Sequence, residues 1–294
     1  MIEPTATEPT GEMPRFPVDV NRVRKHYDRL SFLYRMFWGE HLHHGYWNGG
    51  ETAERAQIQL MEELAQRAGI HPGAKVLDIG CGVGGSALWL ADRLGCTVTG
   101  MTISPVQARM ATAAARKAKA RGLPGEVSFE VKDANRWQPE PARFDVVWIM
   151  ESSEHFPDKK HFFERCAMAL KPGGTLAVCA WLRRDGPMPR DEQKLVGTIA
   201  EAMMSASLDS LSSYRDWMRD AGLTVVAAED ITRRVEPTWA HCARIGENSA
   251  VKFLVRFTGG PTRRFVKAFP LMQEAYASGA MAFGLFVAKK PPVS

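Results

Sequence analysis

Very little in this 294-residue chain suits life outside a cell or within a bilayer. It has five cysteines, Cys81, Cys96, Cys166, Cys179 and Cys242, with neither C-x-x-C spacing nor an even count. That excludes a disulfide framework and fits reduced, buried thiols. No apolar run reaches the roughly 20 residues that span a membrane as a helix; the richest, from Met281 to Ala288, has the length of a buried strand. No block of one charge stands out either. The 38 basic and 33 acidic residues leave a net +5 that is spread too thinly for a nucleic-acid footprint, so nucleic acid is not an expected partner. Residues 1–17, MIEPTATEPTGEMPRFP, lack an apolar segment and are rich in Pro, Thr and Glu, which predicts a disordered tail and neither a signal peptide nor an anchor. A cytoplasmic protein without stable membrane insertion is expected, and homo-oligomerisation stays open.

What is present is a regular change of period. Val20, Val23, Tyr27, Leu30 and Tyr34, three and four residues apart, draw one helical stripe, and an aromatic loop through His41 to Trp47 leads to an amphipathic helix over 52–68. Predicted strands then alternate with helices: strand 75–79, helix 84–94, strand 97–101, helix 105–121, strand 127–132, strand 144–150, helix 160–170, a turn at 171–174 and strand 175–181. Helices of crossover length between strands imply a parallel sheet. The alternation lapses over 183–213, where a Met- and Ala-rich helix at about 191–205 reads as an insertion over the ligand-binding edge. A helix over 214–221, a strand over 223–231, two helices within 237–273 broken near Gly259-Gly260-Pro261, and a closing strand over 281–289 complete the pass. Nothing divides residues 18–294 into independently folding halves.

Between the first strand and its helix stands Asp78-Ile79-Gly80-Cys81-Gly82-Val83-Gly84-Gly85-Ser86, a turn whose glycines let backbone approach a nucleotide-like cofactor. By letters alone this also satisfies the dinucleotide pattern G-x-G-x-x-G. A nicotinamide oxidoreductase, however, places an acid at the end of the second strand, and here that stretch, Val98 to Ser104, has no carboxylate.

The segment Asp78 to Ser86 is similar to the first motif of class I S-adenosylmethionine-dependent methyltransferases. Thr99-Gly100-Met101-Thr102-Ile103-Ser104-Pro105-Val106-Gln107 and Phe144 to His155 resemble the second- and fourth-strand motifs of the tocopherol methyltransferase-like group and the related cyclopropane fatty acid synthases. The resemblance is dense over about residues 20–182 and returns at 270–291. It implies an α/β Rossmann-like fold with a seven-stranded, mostly parallel sheet, an antiparallel last strand, an N-terminal lid (18–70), a cofactor-binding core (71–182), a helical cap (183–213 and 232–280) and a closing strand (281–290). S-adenosylmethionine is the implied cofactor. Asp78 would act through the loop on the methionine ammonium, Gly80 and Gly82 would admit the methionine and ribose parts, and Thr102, by side chain or backbone, with Gln107 would hold the ribose. Asp133 and Ala134 match the adenine position. Tyr27, His43 and Gly45 belong to a segment that resembles the lid over the cofactor's methionine end.

Methyl transfer from a sulfonium needs positioning and, for some acceptors, removal of one proton, so few residues need be catalytic. Glu151, Glu154 and His155 crowd the end of the fourth strand and are the acid-base candidates. Histidines stand at the places of Glu154 and His155 in similar O-methyltransferases, and cyclopropane synthases carry a Glu-His-Phe like Glu154-His155-Phe156. His155 could deprotonate a hydroxyl or could be a hydrogen-bonded helix-start residue. Glu151 is expected to hold the cofactor or order the site. His41, His43 and His44 have no Cys or carboxylate partner spaced to complete a metal site, so no metal is expected. Met188, Leu195, Met203, Met204, Trp239, Phe253, Phe257, Phe269 and Met272 in the cap suit a small, apolar acceptor, prenylated, terpenoid or aromatic, methylated on O, N or C. The alternative is C-methylation of an alkene such as a prenyl diphosphate, with Arg233, Arg234, Arg263 and Arg264 as diphosphate ligands.

Overall fold

The computed structural model describes residues 19–39, 41–247 and 260–292. The expected tail, the two phenylalanines at 253 and 257, and the start of the break near Gly259 lie outside them. A first helix, α1 (Val20–Trp38), and α2 (Ala53–Ala68) precede β1 (Lys75–Ile79), α3 (Gly85–Leu94), β2 (Thr97–Thr102), α4 (Pro105–Ala120), β3 (Glu126–Val131) and β4 (Phe144–Met150). A 3-10 turn, Ser153–His155, leads to α5 (Lys159–Ala169), β5 (Leu170–Arg183), α6 (Arg190–Ala202), α7 (Leu211–Asp220), β6 (Thr224–Asp230), α8 (Thr232–Val235), α9 (Pro237–Glu247), α10 (Gly260–Ala277) and β7 (Met281–Lys289).

The seven strands form one sheet in the order β3-β2-β1-β4-β5-β7-β6. Pairing is parallel from β3 through β5, and β7 runs antiparallel to both β5 and β6. Strand order reverses between β1 and β4, where the connections diverge to opposite faces and leave a crevice at the strands' C-terminal ends. Both faces are covered, which is why the central strands are apolar throughout. Val76, Trp148, Ala177 and Leu285 join a cluster with Leu60, Leu64 and Leu90 of α2 and α3, while their neighbours Leu77, Val147, Val178 and Phe286 join Phe162, Phe163, Tyr214 and Met218 of α5 and α7. The two-residue period of a strand sorts these side chains between the faces.

Local signals set the helix ends. Thr52 caps α2 by accepting from Arg55 N, Ser104 caps α4 by accepting from Gln107 N with Pro105 in the first turn, and Gly69 closes α2 in the left-handed region. Three details depart from the sequence reading. β5 begins at Leu170 because residues 171–174 bulge out between the Leu170–Phe144 and Thr175–Val146 pairs, opposite the single residue Asp145. α7 begins at Leu211, because Ser210 accepts from Ser213 N and caps it earlier than its apolar periodicity suggests. The short α8 had no periodic signal. Among the described residues no helix is long and apolar enough to cross a membrane, and all five cysteines are free and buried.

Candidate active site

A cavity of about 150 Å³ lies at the C-terminal ends of β1, β2 and β4, lined by Gly80, Gly82, Thr102, Gln107, Asp133, Ala134 and Glu151, with Tyr27 and His43 from the N-terminal segment. Gly80, at φ +81°, packs so closely on the end of β4 that a Cβ would sit 2.3 Å from Ser152 Cβ, and Ser152 Oγ donates to Ile79 O at 2.7 Å. That contact zips the ends of β1 and β4 together beneath the loop. Gly82 differs: the nearest atom to a Cβ built there is Gln107 Nε2, at 4.0 Å, so its missing side chain leaves room in the cavity.

Thr102 Oγ1 donates to Gln107 Oε1 at 2.8 Å and accepts from Ser104 N at 3.2 Å. The hydroxyl is thus spent on orienting Gln107, whose amide NH₂ is left to donate into the cavity. Gln107→Ala is expected to weaken cofactor binding about tenfold by calorimetry, since one such bond is worth about 0.5–1.5 kcal/mol; unchanged affinity would remove Gln107 from the ribose site. Asp133 accepts from Asn135 N at 2.9 Å, and Asp133, Ala134 and Asn135 close the outer end of the cavity. Asp78 lies behind the loop, where it accepts from Ser86 Oγ at 3.1 Å, and burial pushes its carboxyl up to about 7. A bound ammonium would restore its charge.

A second cavity of about 110 Å³ adjoins the first and shares Tyr27, Leu42, His43, Glu151 and His155 with it. Its walls are Trp181, Met203, Met204, Trp239, Cys242 and Phe265, and its polar groups include Glu154, Ser205 and Thr238. Of the apolar cap residues expected here, Met203, Met204 and Trp239 line it. Met188, from the segment before α6, and Phe269 and Met272, from α10, are instead buried in the core beside the sheet, and Leu195 of α6 packs against that core.

Glu151 sits at φ +53°, in the left-handed region that a non-glycine residue adopts at a cost, and the surroundings hold it there. His44 N donates to Oε1 at 2.7 Å, while His44 Nδ1 (2.9 Å) and Trp181 Nε1 (2.7 Å) donate to Oε2. Burial disfavours its charge, but His44 and His43 outweigh that and hold it below the ordinary glutamate value. Glu151 is therefore an ionised carboxylate with its acceptors engaged. Glu154 is the opposite case. Oε1 accepts from Trp181 N at 2.6 Å, and Oε2 is buried with no partner. Burial, aided by the charge of Glu151, pushes Glu154 up to about 8.

His155 has both nitrogens engaged. Nδ1 donates to Met204 O at 3.0 Å, so Nε2 of the neutral ring accepts from the Tyr27 hydroxyl at 3.2 Å. Burial lowers its pKa. His43 donates from Nδ1 to His44 O at 2.8 Å and has Nε2 buried without a partner beside both cavities. Gly45 does not line the cofactor cavity. Its N donates to Thr238 Oγ1, and a Cβ would sit 2.5 Å from Ala56 Cβ, so it is a glycine because α2 packs against it. Among the described residues no group of three metal-ligating side chains converges.

Sequence reasoning missed Trp181, Thr238, Cys242 and Phe265. Trp181 had a usable signal, its place near the C-terminal end of a strand at the crevice. The other three come from cap helices that only the tertiary fold brings over the sheet.

The buried acids make a prediction for the cofactor-free protein. Between pH 7.5 and 8.5 the unfolded chain has ionised Asp78 and Glu154, whereas the folded chain still holds protons on them, at about 7 and about 8. Folded protein then binds more protons than unfolded, so stability falls as pH rises through that window. The buried His26 and His41, lowered to about 4 and about 3, act the other way near pH 6.5, where about half of the unfolded imidazoles carry a proton, but above about 7.5 they are neutral in both states. Melting temperature should fall from pH 7.5 to 8.5 and fall less in Glu154→Gln; a rise would contradict the assignment.

An open α/β sheet with a glycine loop at its switch point and a second cavity adjoining the first defines an enzyme that brings a nucleotide-like cofactor to a small molecule. A methyltransferase domain family matches residues 76–174. The chain is 30% identical to the chloroplastic tocopherol O-methyltransferase of Arabidopsis thaliana over 287 residues, covering 92% of this chain and 82% of the relative. It is 36% identical to the 27-O-demethylrifamycin SV methyltransferase of Amycolatopsis mediterranei over 225 residues, covering 76% and 81%. The cyclopropane synthase MmaA2 from Mycobacterium tuberculosis shares the fold, with a TM-score of 0.81 at 18% identity over 96% of this chain and 100% of that one. The chain belongs to the class I S-adenosylmethionine-dependent methyltransferases, in the group that holds the tocopherol methyltransferases. S-adenosylmethionine is its cofactor, and small molecules are its substrates.

Proposed function

We propose that this enzyme methylates a hydroxyl of a small, largely apolar acceptor, of the prenylated aromatic or terpenoid type. The observation that carries the reading is Glu154 Oε2, a buried acceptor atom without a partner in the second cavity, next to the residues that both cavities share. Bound at the glycine loop, the cofactor supplies an electrophilic methyl group. Trp181, Trp239, Met203 and Phe265 exclude water and hold an apolar body, while Glu154 accepts the hydroxyl proton as the oxygen is alkylated. Its pKa near neutrality suits that task, being close enough to working pH for the carboxylate to be populated and basic. Glu151, saturated by His44 and Trp181, keeps its negative charge at the wall that both cavities share and would favour a cationic group bound there. His155 positions Tyr27 where the two cavities meet. Two relatives are named for tocopherol O-methylation and for 27-O-demethylrifamycin SV, which agrees with an oxygen acceptor.

The four arginines offered for a prenyl diphosphate do not line the second cavity. Arg233 and Arg234 line a separate surface groove, Arg263 and Arg264 are exposed, and among the described residues no Lys or Arg lines the second cavity. The buried free thiols suit a reducing compartment such as the cytoplasm. The test is transfer of labelled methyl from S-adenosylmethionine to a prenylated phenol, its methyl ether and geranyl diphosphate. Label in the phenol and not in the ether supports the reading; label in geranyl diphosphate alone overturns it.

A further inference from the structure

The hydroxyl of Thr238 has one hydrogen bond left to give. Thr238 is the second residue of α9, buried, and lines the second cavity together with Glu154, Trp239 and Cys242. Its Oγ1 accepts from Gly45 N at 3.0 Å and from Trp47 Nε1 at 2.9 Å. A hydroxyl offers two lone pairs and one hydrogen. Two N–H donors use both lone pairs, so Thr238 can act toward the cavity only as a donor. Glu154, on the turn after β4, presents a carboxyl oxygen that is buried and has no hydrogen-bond partner. The two come from different elements that line the same cavity, the cap helix α9 and the turn after the central strand β4. A molecule in the cavity therefore meets a committed donor at one place and an acceptor at another.

From this we infer that Thr238 is a specificity-determining residue: it donates to a second oxygen of the acceptor molecule while the hydroxyl to be methylated meets Glu154. The substrate class is then an apolar molecule with two oxygen functions, one a hydroxyl and the other any oxygen with a free lone pair. A molecule with a single hydroxyl would leave the Thr238 proton buried and unpaired, which selects against it. This rests on the hydroxyl-methylation reading above.

The experiment compares kcat/KM for a prenylated 1,4-hydroquinone and for the prenylated phenol lacking one of its two hydroxyls, in wild type, Thr238→Val and Thr238→Ser. Wild type should favour the hydroquinone by about tenfold, the worth of one buried hydrogen bond. Thr238→Val should bring the ratio to within about twofold of unity, and Thr238→Ser, which keeps the hydroxyl, should restore it. Damage transmitted through Gly45 and Trp47 would slow both substrates equally and leave the ratio intact, and that result overturns the inference. Equal use of the two substrates by wild type also overturns it and leaves hydroxyl methylation standing. Methylation of neither, by protein that binds S-adenosylmethionine, overturns hydroxyl methylation and the inference together.

Discussion

Glu154→Gln is expected to lower kcat for a hydroxyl acceptor by about a hundredfold or more while the Kd for S-adenosylmethionine stays within about twofold. The amide is nearly isosteric, and its oxygen can still accept from Trp181 N, so the turn after β4 keeps its shape. What disappears is the basic lone pair in the cavity. The pH profile identifies the group. Only the carboxylate can take a proton, so kcat/KM, which reports the free protein, should fall as pH drops through the Glu154 titration at about 8. A neutral imidazole would also lose activity toward acid, but burial lowers His155, so its limb would lie below the usual histidine value of about 6.5. An acid limb above neutrality that vanishes in Glu154→Gln supports the carboxylate. One below 6.5 that vanishes in His155→Ala returns the role to the histidine.

Gly82→Val is expected to lower cofactor affinity by more than about a hundredfold in a protein that still folds. The cavity, not the protein, occupies the space beside this residue, so the branched side chain would fill part of the cavity proposed for the cofactor. A smaller part of the effect is backbone strain, since φ is +53° here and a side chain in the left-handed region costs about 1–2 kcal/mol. Calorimetry with S-adenosylmethionine gives the affinity, and circular dichroism and thermal melting check the fold. Gly82→Ala, with the same strain and less bulk, should fall between. Unchanged affinity in folded Gly82→Val would remove the glycine loop from the cofactor site.

The residues that line the first cavity were legible because they are local. Asp78, Gly80, Gly82, Thr102, Gln107, Asp133 and Ala134 all lie at or just beyond strand ends, in short segments whose residue types follow from the turn they make, and the structure gathers all but Asp78 onto one cavity wall. Asp78 stands one layer behind, on Ser86. The acceptor half was legible only in part. Glu151, Glu154 and His155 were found together by their place after β4, yet nothing in that segment says which has a lone pair to spare. That depends on Trp181, thirty residues on by the hydrogen-bond register, on Met204 and on Tyr27. Gly45 was misplaced for a similar reason, since its contact is with α2 and its role is packing.

Sequence by itself determined the strand-helix alternation, hence the parallel sheet, and the glycine turn at its edge, because strand period, helix caps and left-handed turns are fixed by neighbours a few residues apart. Tertiary structure alone decided the hydrogen-bond partners of the two carboxyls and of the Thr238 hydroxyl. Those partners come from distant segments. His44 lies 107 residues from Glu151, and Gly45 lies 193 from Thr238. Glu151, held by His44 and Trp181, has both oxygens engaged; the same group three residues later, Glu154, has one oxygen left without a partner.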